Sequence, residues 1–427
     1  MISALLFIPF LVMLLVSVPI GIALGLASTL ALLVSGKVSS SYIAQGLVTS
    51  IDSFPLMAVP FFVLAGDLMG HGGLSKRLLK VGLVLFGRYS GGLAIIAVVT
   101  CMFFAAISGS GPATVAAVGA ILMPAMAKGG YRPPFTGGLI ASAGSLGVII
   151  PPSIPMVIYA TSANVSVTKM FMAGVVPGAL IGIALIVYAW FQARREGIER
   201  STERHSFNDI VVTIWEAKWA LMVPVLILGG IYGGVFTPTE ASAIGVIYGL
   251  IVGLFVYREL KFSDLHHIFA SSALTSATIM LIVGAATIFG RVLAIERIPV
   301  MMADYITQLV SNPLMILILI NLLLLVVGTF METLAAIIIL TPILLPVAAA
   351  SGVDPVHFGI VMIANLAIGM VTPPVGVNLF VASRVGNIPL ERLMRSAAPF
   401  LVVMLLILAL ITYVPALSLG LPALFGM

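Results

Sequence analysis

The chain is a succession of apolar runs of about the length of a membrane-spanning helix, separated by short polar connections. A helix needs about 20 mostly apolar residues to cross the hydrocarbon core of a bilayer. The runs predicted to span the membrane are residues 2–16, 19–36, 50–69, 134–163, 171–193, 219–234, 239–257, 268–290, 357–384 and 397–416. The first two could form one long tilted helix, and we favour two short passes because their counterpart 219–257 turns at Gly233 and Gly234.

Two further apolar regions are longer and break in the middle. Residues 90–127 and 313–350 each contain a polar turn rich in Gly, Ser or Thr, and Lys and Arg residues flank both ends of the first region. Because Lys and Arg collect on the cytoplasmic side of a membrane, both ends are expected on one side, as in a re-entrant hairpin. Two amphipathic segments, 74–87 and 297–310, precede these regions and are predicted to be arm helices at the membrane interface.

The chain repeats itself at an offset of 222 positions. The aligned pairs include Pro124 and Pro346, Gly130 and Gly352, Gly147 and Gly369, Pro151 and Pro373, Pro152 and Pro374, and Pro177 and Pro399. We therefore predict two homologous repeats, residues 1–205 and 219–427, joined by a linker or amphipathic segment at 206–218. Each repeat contains one hairpin and one broken helix; these are 90–127 and 134–163 in the first repeat, and 313–350 and 357–384 in the second.

The distribution of charge predicts how the repeats lie in the membrane. If each half crosses five times and the hairpins open to opposite sides, sixteen of the 20 Lys and Arg residues fall on one side. By the positive-inside rule, this side is the cytoplasm. Because five is an odd number, the two halves are inverted. This arrangement is typical of secondary transporters, whose site lies at the repeat interface near the middle of the membrane.

The composition agrees with an all-α integral membrane protein. Hydrophobic residues make up 61% of the chain and charged residues 8%, and the mean hydropathy is +1.23, whereas soluble domains carry about 25% charged residues. The single cysteine, Cys101, excludes a disulfide framework and multi-cysteine metal sites. The net charge of +5 is spread thinly between apolar runs, which indicates membrane topology rather than nucleic-acid binding.

The first hairpin tip and the break in 134–163 are predicted to form a cation site. Glycines let backbone carbonyls turn inward, and prolines leave carbonyls one turn back without a helix partner. Free carbonyls and hydroxyls without a carboxylate favour a hard monovalent cation, Na⁺. The predicted ligand residues are Ser108, Gly109, Ser110, Thr114, Gly144, Ser145, Gly147 and Pro151. The alternative is that these small residues only allow close helix packing.

The second tip and the break in 357–384 predict a second Na⁺ site, so at least two ions are expected per cycle. Its predicted residues are Gly328, Thr329, Glu332, Thr333, Gly369, Met370, Thr372 and Pro373. We expect Glu332 to be the only acid inside an apolar run, and an intramembrane carboxylate indicates a functional site. It could relay a proton, tune the Na⁺ site, or hold the hairpin by accepting backbone N–H bonds at a helix start.

The two tips are expected to point helix N-termini at the middle of the membrane. Exposed N–H groups and the positive end of the helix dipole favour an anionic group of a substrate. The residues predicted to contact the substrate are Ser110, Ser145, Ser153, Thr329, Asn365 and Asn378. Because the tips contain no arginine, dipoles, amides and bound cations would hold a substrate carboxylate.

Several motifs resemble the large membrane (M) subunit of TRAP (tripartite ATP-independent periplasmic) transporters over essentially the whole chain. They are ISGSGPATVAAVGAILMPAM, GYRPPFTGGLIASAGSLGVIIPPSIPMVIYA, FTPTEASAIGVIYG, GTFMETLAAIIILTPILLPV and DPVHFGIVMIANLAIGMVTPPVGVNLF. The resemblance implies an elevator-type, Na⁺-driven carrier of the ion-transporter superfamily in the bacterial inner membrane. It also implies a separate small four-helix membrane subunit and a periplasmic substrate-binding protein as partners, with organic acids such as sialic acids or C4-dicarboxylates as cargo.

Other functions compete with this one. A stand-alone ion-coupled dicarboxylate carrier or cation antiporter of the same superfamily would need no binding protein. An intramembrane hydrolase is a remote alternative, since Gly109-Ser110-Gly111 resembles a serine elbow. Such a nucleophile needs a base within hydrogen-bond distance. Four of the five histidines are expected in cytoplasmic segments and His357 near the opposite face, so no base is expected beside Ser110. A channel is disfavoured, because inverted hairpins suit alternating access.

Overall fold

The computed structural model describes residues 2–36, 39–87, 91–198, 206–309 and 312–427, and every regular element within these ranges is helical. The first ten helices are α1 Ile2–Leu15, α2 Ile20–Ser35, α3 Ser40–Thr49, α4 Ala58–His71, α5 Leu74–Phe86, α6 Gly92–Ser108, α7 Gly111–Lys128, α8 Pro133–Gly144, α9 Ile154–Ala163 and α10 Val167–Arg195. A 3₁₀ turn at Phe54–Met57 leads into α4, and another at Ser145–Val148 follows α8.

Ten more helices complete the described chain. They are α11 Phe207–Tyr232, α12 Pro238–Ile251, α13 Phe262–Ile295, α14 Ile298–Leu309, α15 Pro313–Phe330, α16 Thr333–Ala350, α17 Pro355–Gly369, α18 Val377–Gly386, α19 Leu390–Tyr413 and α20 Ala416–Leu424. Helix α12 continues as a π-helical turn at Val252–Val256.

Within the described residues, nine helical segments are long and apolar enough to cross a membrane. They are Phe54–His71, Gly111–Lys128, Val167–Arg195, Phe207–Tyr232, Pro238–Val256, Phe262–Ile295, Pro313–Phe330, Thr333–Ala350 and Leu390–Tyr413. Shorter apolar helices include α1, α2, α6, α9 and α17. The prediction of an all-α multi-pass membrane protein is therefore confirmed.

The N-terminal apolar stretch folds as two helices. Helices α1 and α2 pack against each other, and Ser17 in the turn between them has a φ of 64°. The structure therefore contains two short helices rather than one long tilted helix. The turn at Gly233 and Gly234, between α11 and α12, lies where the sequence pattern places it.

One local prediction differs from the structure, and two short helices were not predicted. The segment 206–218 is not a separate linker, because Ser206 and Asp209 form a capping box from which α11 runs continuously. The sequence pattern also missed α3 and α20, since these helices have only 10 and 9 residues and a search for membrane-length runs does not detect them. Lys37, Arg88, Arg200, Arg204 and His205, which entered the charge and base arguments, lie outside the described residues.

Two pairs of helices in the two halves begin at equivalent positions. Helices α7 and α16 each have 18 residues and begin at Gly111 and Thr333, which are 222 positions apart. Helices α8 and α17 begin at Pro133 and Pro355, with the same offset. The sequence offset of 222 positions is thus also the offset between these two pairs of helix starts.

Packing divides the helices around the tips into two groups. In one, α7 packs on α8 and α18, α16 packs on α9 and α17, and α15 packs on α17. The second helix of each hairpin, α7 or α16, therefore contacts parts of the broken helices of both halves. In the other group, α4 packs on α12 and α13, and α2 packs on α13. The two groups meet where α13 contacts α16, and where α4 contacts α6, the first helix of the first hairpin.

Candidate functional site

A cavity of about 1000 Å³ lies between the two hairpin tips and helices α2, α4 and α13. Ser108 and Ser110 line it from the first tip, and Glu332 and Thr333 line it from the second. The tips, which lie more than 200 residues apart in sequence, therefore share one space.

The first tip is a compact cluster of oxygen atoms. Gly109 ends α6 with a φ of 60°, a left-handed conformation that glycine adopts without strain. The Ser108 and Thr114 hydroxyl oxygens lie 3.1 Å apart, and the Thr114 hydroxyl donates a 2.7 Å hydrogen bond to the Ser110 carbonyl. The predicted tip residues are thus gathered within hydrogen-bond distance of one another.

The break in the first half closes directly on this tip. A Cβ atom on Gly147 would overlap the Ser110 carbonyl oxygen and would lie 2.7 Å from the Thr114 hydroxyl oxygen. A Cβ atom on Gly144 would overlap the side chain of Val115. Only glycine therefore allows the broken helix to approach so closely.

The start of α7 is open towards the cavity. No described side chain caps this helix, whose first residues Gly111, Pro112 and Ala113 line the cavity. The first N–H groups of a helix have no partner within the helix, and they carry its positive dipole end. This end of the cavity therefore attracts negative charge.

The second tip meets its own break in a similar way. A Cβ atom on Gly369 would lie 2.5 Å from Gly328 Cα, so α15 and α17 touch backbone to backbone. The Thr329 carbonyl accepts a hydrogen bond of 3.3 Å from the Gly376 N–H. Both predicted pairings of a tip with the break of the same half are thus present as contacts.

Glu332 takes the position in the second tip that Ser110 has in the first. Its carboxylate accepts hydrogen bonds from the N–H groups of Leu334 (2.9 Å) and Ala335 (3.2 Å), and so caps α16. Of the three roles considered for Glu332, the structure shows that of a helix cap. The hydroxyl of the adjacent Thr333 is buried and has no partner among the described residues.

The predicted site residues divide into those that line the cavity and those that lie behind it. Ser108, Gly109, Ser110, Glu332, Thr333 and Met370 line it. The others lie outside the lining; they are Thr114, Gly144, Ser145, Gly147, Pro151, Ser153, Gly328, Thr329, Asn365, Gly369, Thr372, Pro373 and Asn378. Of the six predicted substrate contacts, only Ser110 lines this cavity.

Local hydrogen bonds account for the polar residues that turn away. Three hydroxyls donate to carbonyls of their own segments: Ser145 to Ser142, Thr329 to Val326 and Thr372 to Ile368. Ser153 caps α9 and donates to the Val148 carbonyl, and the Asn378 amide donates to the Ala141 carbonyl. Sequence spacing identified these as break residues, but it does not show which way a side chain points.

Asn365 belongs to a buried polar network elsewhere. Its amide donates to the Asn321 side chain at 2.6 Å, and Asn321 donates to the Thr412 hydroxyl. His357 bonds the Thr412 carbonyl and the Ser418 hydroxyl and is only 2% exposed. These bonds hold the ring of His357 inside the protein, in the first turn of α17.

Sequence reasoning missed the wall of the cavity formed by α4 and α13. Asp67 and His71 of α4 and Thr275 of α13 line it. The expectation that Glu332 is the only acid within an apolar run is wrong, since Asp67 lies in the run 50–69 and accepts a 2.5 Å hydrogen bond from the Ser272 hydroxyl. An acid inside an apolar run was the available signal.

Comparison with known proteins gives a consistent result. Residues 7–417 match the model of the tripartite ATP-independent periplasmic transporter, DctM component. The chain is 44% identical to the C4-dicarboxylate TRAP transporter large permease protein DctM of Pseudomonas aeruginosa, and the match covers 95% of each chain. It is 40% identical to the sialic acid TRAP transporter large permease protein SiaM of Vibrio cholerae, again over 95% of each.

A third relative is longer than this chain. The isethionate TRAP transporter permease protein DctMQ of Oleidesulfovibrio alaskensis is 51% identical over 95% of this chain, which spans 64% of that protein. Among solved structures, the fold resembles the YdaH transporter of Alcanivorax borkumensis, with a TM-score of 0.59, 14% identity and 87% of each chain covered. The latter match shows a shared fold alone.

Proposed function

The chain belongs to the DctM family, the large permease component of tripartite ATP-independent periplasmic (TRAP) transporters, and on that premise we propose that it imports an organic acid anion across the bacterial inner membrane, driven by Na⁺. It is a multi-pass membrane protein of a transport family rather than an enzyme, so the hydrolase alternative is set aside.

The evidence for an anionic substrate is the contrast between the two helices that begin at the cavity, α7 and α16. Glu332 supplies a negative charge to the N–H groups of α16, whereas α7 begins without a side-chain cap and faces the cavity. A carboxylate or sulfonate would satisfy the N–H groups of α7 and the dipole there. The relatives named for isethionate, C4-dicarboxylate and sialic acid act on anions of this kind.

The Na⁺ part of the proposal rests on the chemistry of the tips. Ser108, Ser110 and Thr114 offer two hydroxyl oxygens and a carbonyl oxygen that lie within 3.3 Å of one another. Neutral oxygens of this kind suit a hard cation. At the second tip, the Thr333 hydroxyl is buried without a described partner, which makes it available as a ligand. We expect one Na⁺ at each tip, and hence two or more ions per cycle.

We also propose that the chain acts with two partners and in two inverted repeats. The partners are a small four-helix membrane subunit on a separate chain and a periplasmic binding protein that delivers the substrate. The common offset of 222 positions supports the repeats. Contact of each tip with its own break supports an elevator motion, since the hairpins and broken helices can move past α4 and α13 without breaking either Na⁺ site.

Uptake into proteoliposomes tests this function. The purified chain is reconstituted with its small subunit, and labelled isethionate, a C4-dicarboxylate and sialic acid are offered with the binding protein under an inward Na⁺ gradient. We expect one class of organic anion to accumulate only when all three proteins are present. Uptake that needs no binding protein would instead favour a stand-alone carrier, and failure to take up any organic anion would contradict the proposal.

A further inference from the structure

We propose that the cavity selects a monoanion whose far end carries a hydroxyl group, and that Asp67 is the residue that disfavours a dianion. This inference rests on the proposed function, in which the anionic group of the substrate lies at the start of α7. It names the substrate class more narrowly, as hydroxysulfonates and hydroxylated monocarboxylates rather than dicarboxylates.

The charge of the cavity lining is the first reason. Among the described residues that line the cavity, two carry carboxylates, Asp67 and Glu332, one carries an imidazole, His71, and none is Lys or Arg. Apart from the Na⁺ ions that we propose at the tips, a second negative charge on the substrate would therefore meet carboxylates and no Lys or Arg side chain. In a partly enclosed site the repulsion between like charges is several times stronger than in water.

The two carboxylates differ in how they are compensated. Glu332 accepts two backbone N–H bonds at the start of α16, where the helix dipole also stabilises its charge. Within the described residues, the Asp67 carboxylate accepts its side-chain hydrogen bond from the neutral Ser272 hydroxyl. Asp67 thus leaves more uncompensated negative charge facing the cavity than Glu332 does.

Asp67 lies beside the first tip. A Cβ atom on its neighbour Gly66 would stand 3.1 Å from Ser108 Cα, so α4 and the tip touch at this point. Ser108 is followed by Gly109 and Ser110 and then by the open start of α7. A substrate bound by its anionic group at that start therefore extends within the field of Asp67.

The hydroxyls of α13 add hydrogen-bond acceptors to the wall of the cavity that α4 and α13 form. Thr275 and Thr278 line the cavity, and their hydroxyl hydrogens are already donated to the carbonyls of Ser271 and Leu274. Each hydroxyl therefore offers lone pairs rather than a hydrogen to the cavity. Together with the Asp67 carboxylate, they favour a substrate group that donates a hydrogen bond.

A buried hydroxyl without a partner provides independent evidence that a ligand completes this site. Thr333 lines the cavity at the second tip and is 1% exposed, and its oxygen has no partner among the described residues. A buried polar group without a hydrogen bond is costly. A hydroxylated substrate or a bound ion at this tip would satisfy it.

A matched pair of ligands tests the inference. Isethionate and sulfoacetate share a sulfonate and a two-carbon length, but one ends in a hydroxyl and the other in a second anion. Their dissociation constants for the permease with its small subunit are obtained in saturating Na⁺ from ligand-dependent thermal midpoints. The binding protein is omitted, so its own selectivity does not contribute. We expect isethionate to bind at least about tenfold more tightly than sulfoacetate, because the second negative charge of sulfoacetate is repelled by Asp67 in a partly enclosed cavity.

Variants assign the preference to Asp67. Asp67→Asn should bring the two dissociation constants to within about threefold of each other, while Asp67→Glu and Ser272→Ala, which keep the charge, should retain the preference. Asp52→Asn removes an exposed carboxylate that does not line the cavity and serves as the control.

The outcomes separate this inference from the proposed function. Equal binding of both anions by the parent protein, or tighter binding of sulfoacetate, overturns the inference and leaves organic-anion import standing. An unchanged ratio in Asp67→Asn overturns the role of Asp67. If no organic anion binds, the proposed function fails as well. The parent ratio needs no variant, so it remains informative even if Asp67→Asn does not fold.

Discussion

Gly328 and Gly369 meet backbone to backbone, with a Cβ atom on Gly369 placed only 2.5 Å from Gly328 Cα. The equivalent position in the first half is Gly147, where a Cβ atom would overlap the Ser110 carbonyl oxygen. At both positions glycine lets a broken helix rest on a hairpin tip. The two ion sites that we propose depend on this approach.

Replacing either glycine by alanine should therefore damage the tips. We expect Gly147→Ala and Gly369→Ala to abolish Na⁺-driven uptake and to lower the thermal midpoint, since overpacking a tight contact costs about 1–3 kcal/mol. Gly229→Ala is the matched control, because a Cβ atom there has no neighbour within 4 Å among the described residues. If the Gly147 and Gly369 variants behaved like Gly229→Ala, the close approach would not matter for transport.

Thr114 tests the first Na⁺ site through its hydroxyl alone. Thr114→Val keeps the shape of this buried side chain but removes the oxygen that lies beside Ser108. We expect the Na⁺ concentration for half-maximal uptake to rise at least about fivefold in this variant. Thr114→Ser keeps a hydroxyl and should retain the value of the parent. Thr136→Val removes another buried hydroxyl, one that donates to the Arg132 carbonyl away from the tips, and should leave Na⁺ dependence unchanged.

Glu332 is expected to act chiefly as a helix cap. Glu332→Ala should lower the stability by about 1 kcal/mol, the usual cost of losing an N-cap, whereas Glu332→Gln keeps an acceptor oxygen and should retain most of it. Asp354→Ala removes the corresponding cap of α17 and should cost a similar amount. A large change in Na⁺ dependence in Glu332→Gln, with its thermal midpoint unchanged, would show that the charge tunes the ion site.

An ion-pair cluster outside the membrane-spanning segments predicts a small acid-sensitive contribution to stability. Glu259 bonds Lys76 at 2.7 Å and Arg77 at 2.6 Å, which ties α5 to the connection between α12 and α13. Partial burial alone would raise the pKa of Glu259, but the hydrogen bonds and charges of Lys76 and Arg77 outweigh it and hold the pKa below the ordinary value of 4.5.

A carboxylate with a depressed pKa stabilises the fold above its unfolded pKa, and this contribution is lost as the pH falls through the folded value. We therefore expect Glu259→Gln to be less stable than the parent at pH 7 by no more than about 1 kcal/mol, because the pair is partly exposed. The difference should shrink as the pH falls below 4.5. Thermal midpoints measured from pH 7 to about pH 3 check this, and a constant difference would contradict it.

The sequence predicted the positions of the tips well, because glycine and proline have strong local effects. The predicted breaks coincide with the ends of α6 at Ser108 and of α15 at Phe330, and the predicted pairing of each tip with its own break is present in the structure. These features depend on residues close together in the chain, or on a repeat that can be detected by alignment.

The lining of the cavity was much harder to predict. Asn365 and Ser153 lie on the expected helices, but they bond to partners that the pattern does not identify, Asn321 and the Val148 carbonyl. Asp67 was missed because its importance depends on Ser272, more than 200 residues away. The direction of a side chain follows from tertiary packing, which helical periodicity alone does not specify.

The dependence of uptake on Na⁺ tests the central claim most directly. In proteoliposomes containing the permease, its small subunit and the loaded binding protein, initial uptake is compared under an inward Na⁺ gradient, with Na⁺ replaced by choline, and with a proton gradient alone. We predict uptake only with Na⁺, increasing at inside-negative potential because each net positive charge gains about 2.3 kcal/mol per 100 mV. Equal uptake in Na⁺-free buffer driven by protons would contradict the account.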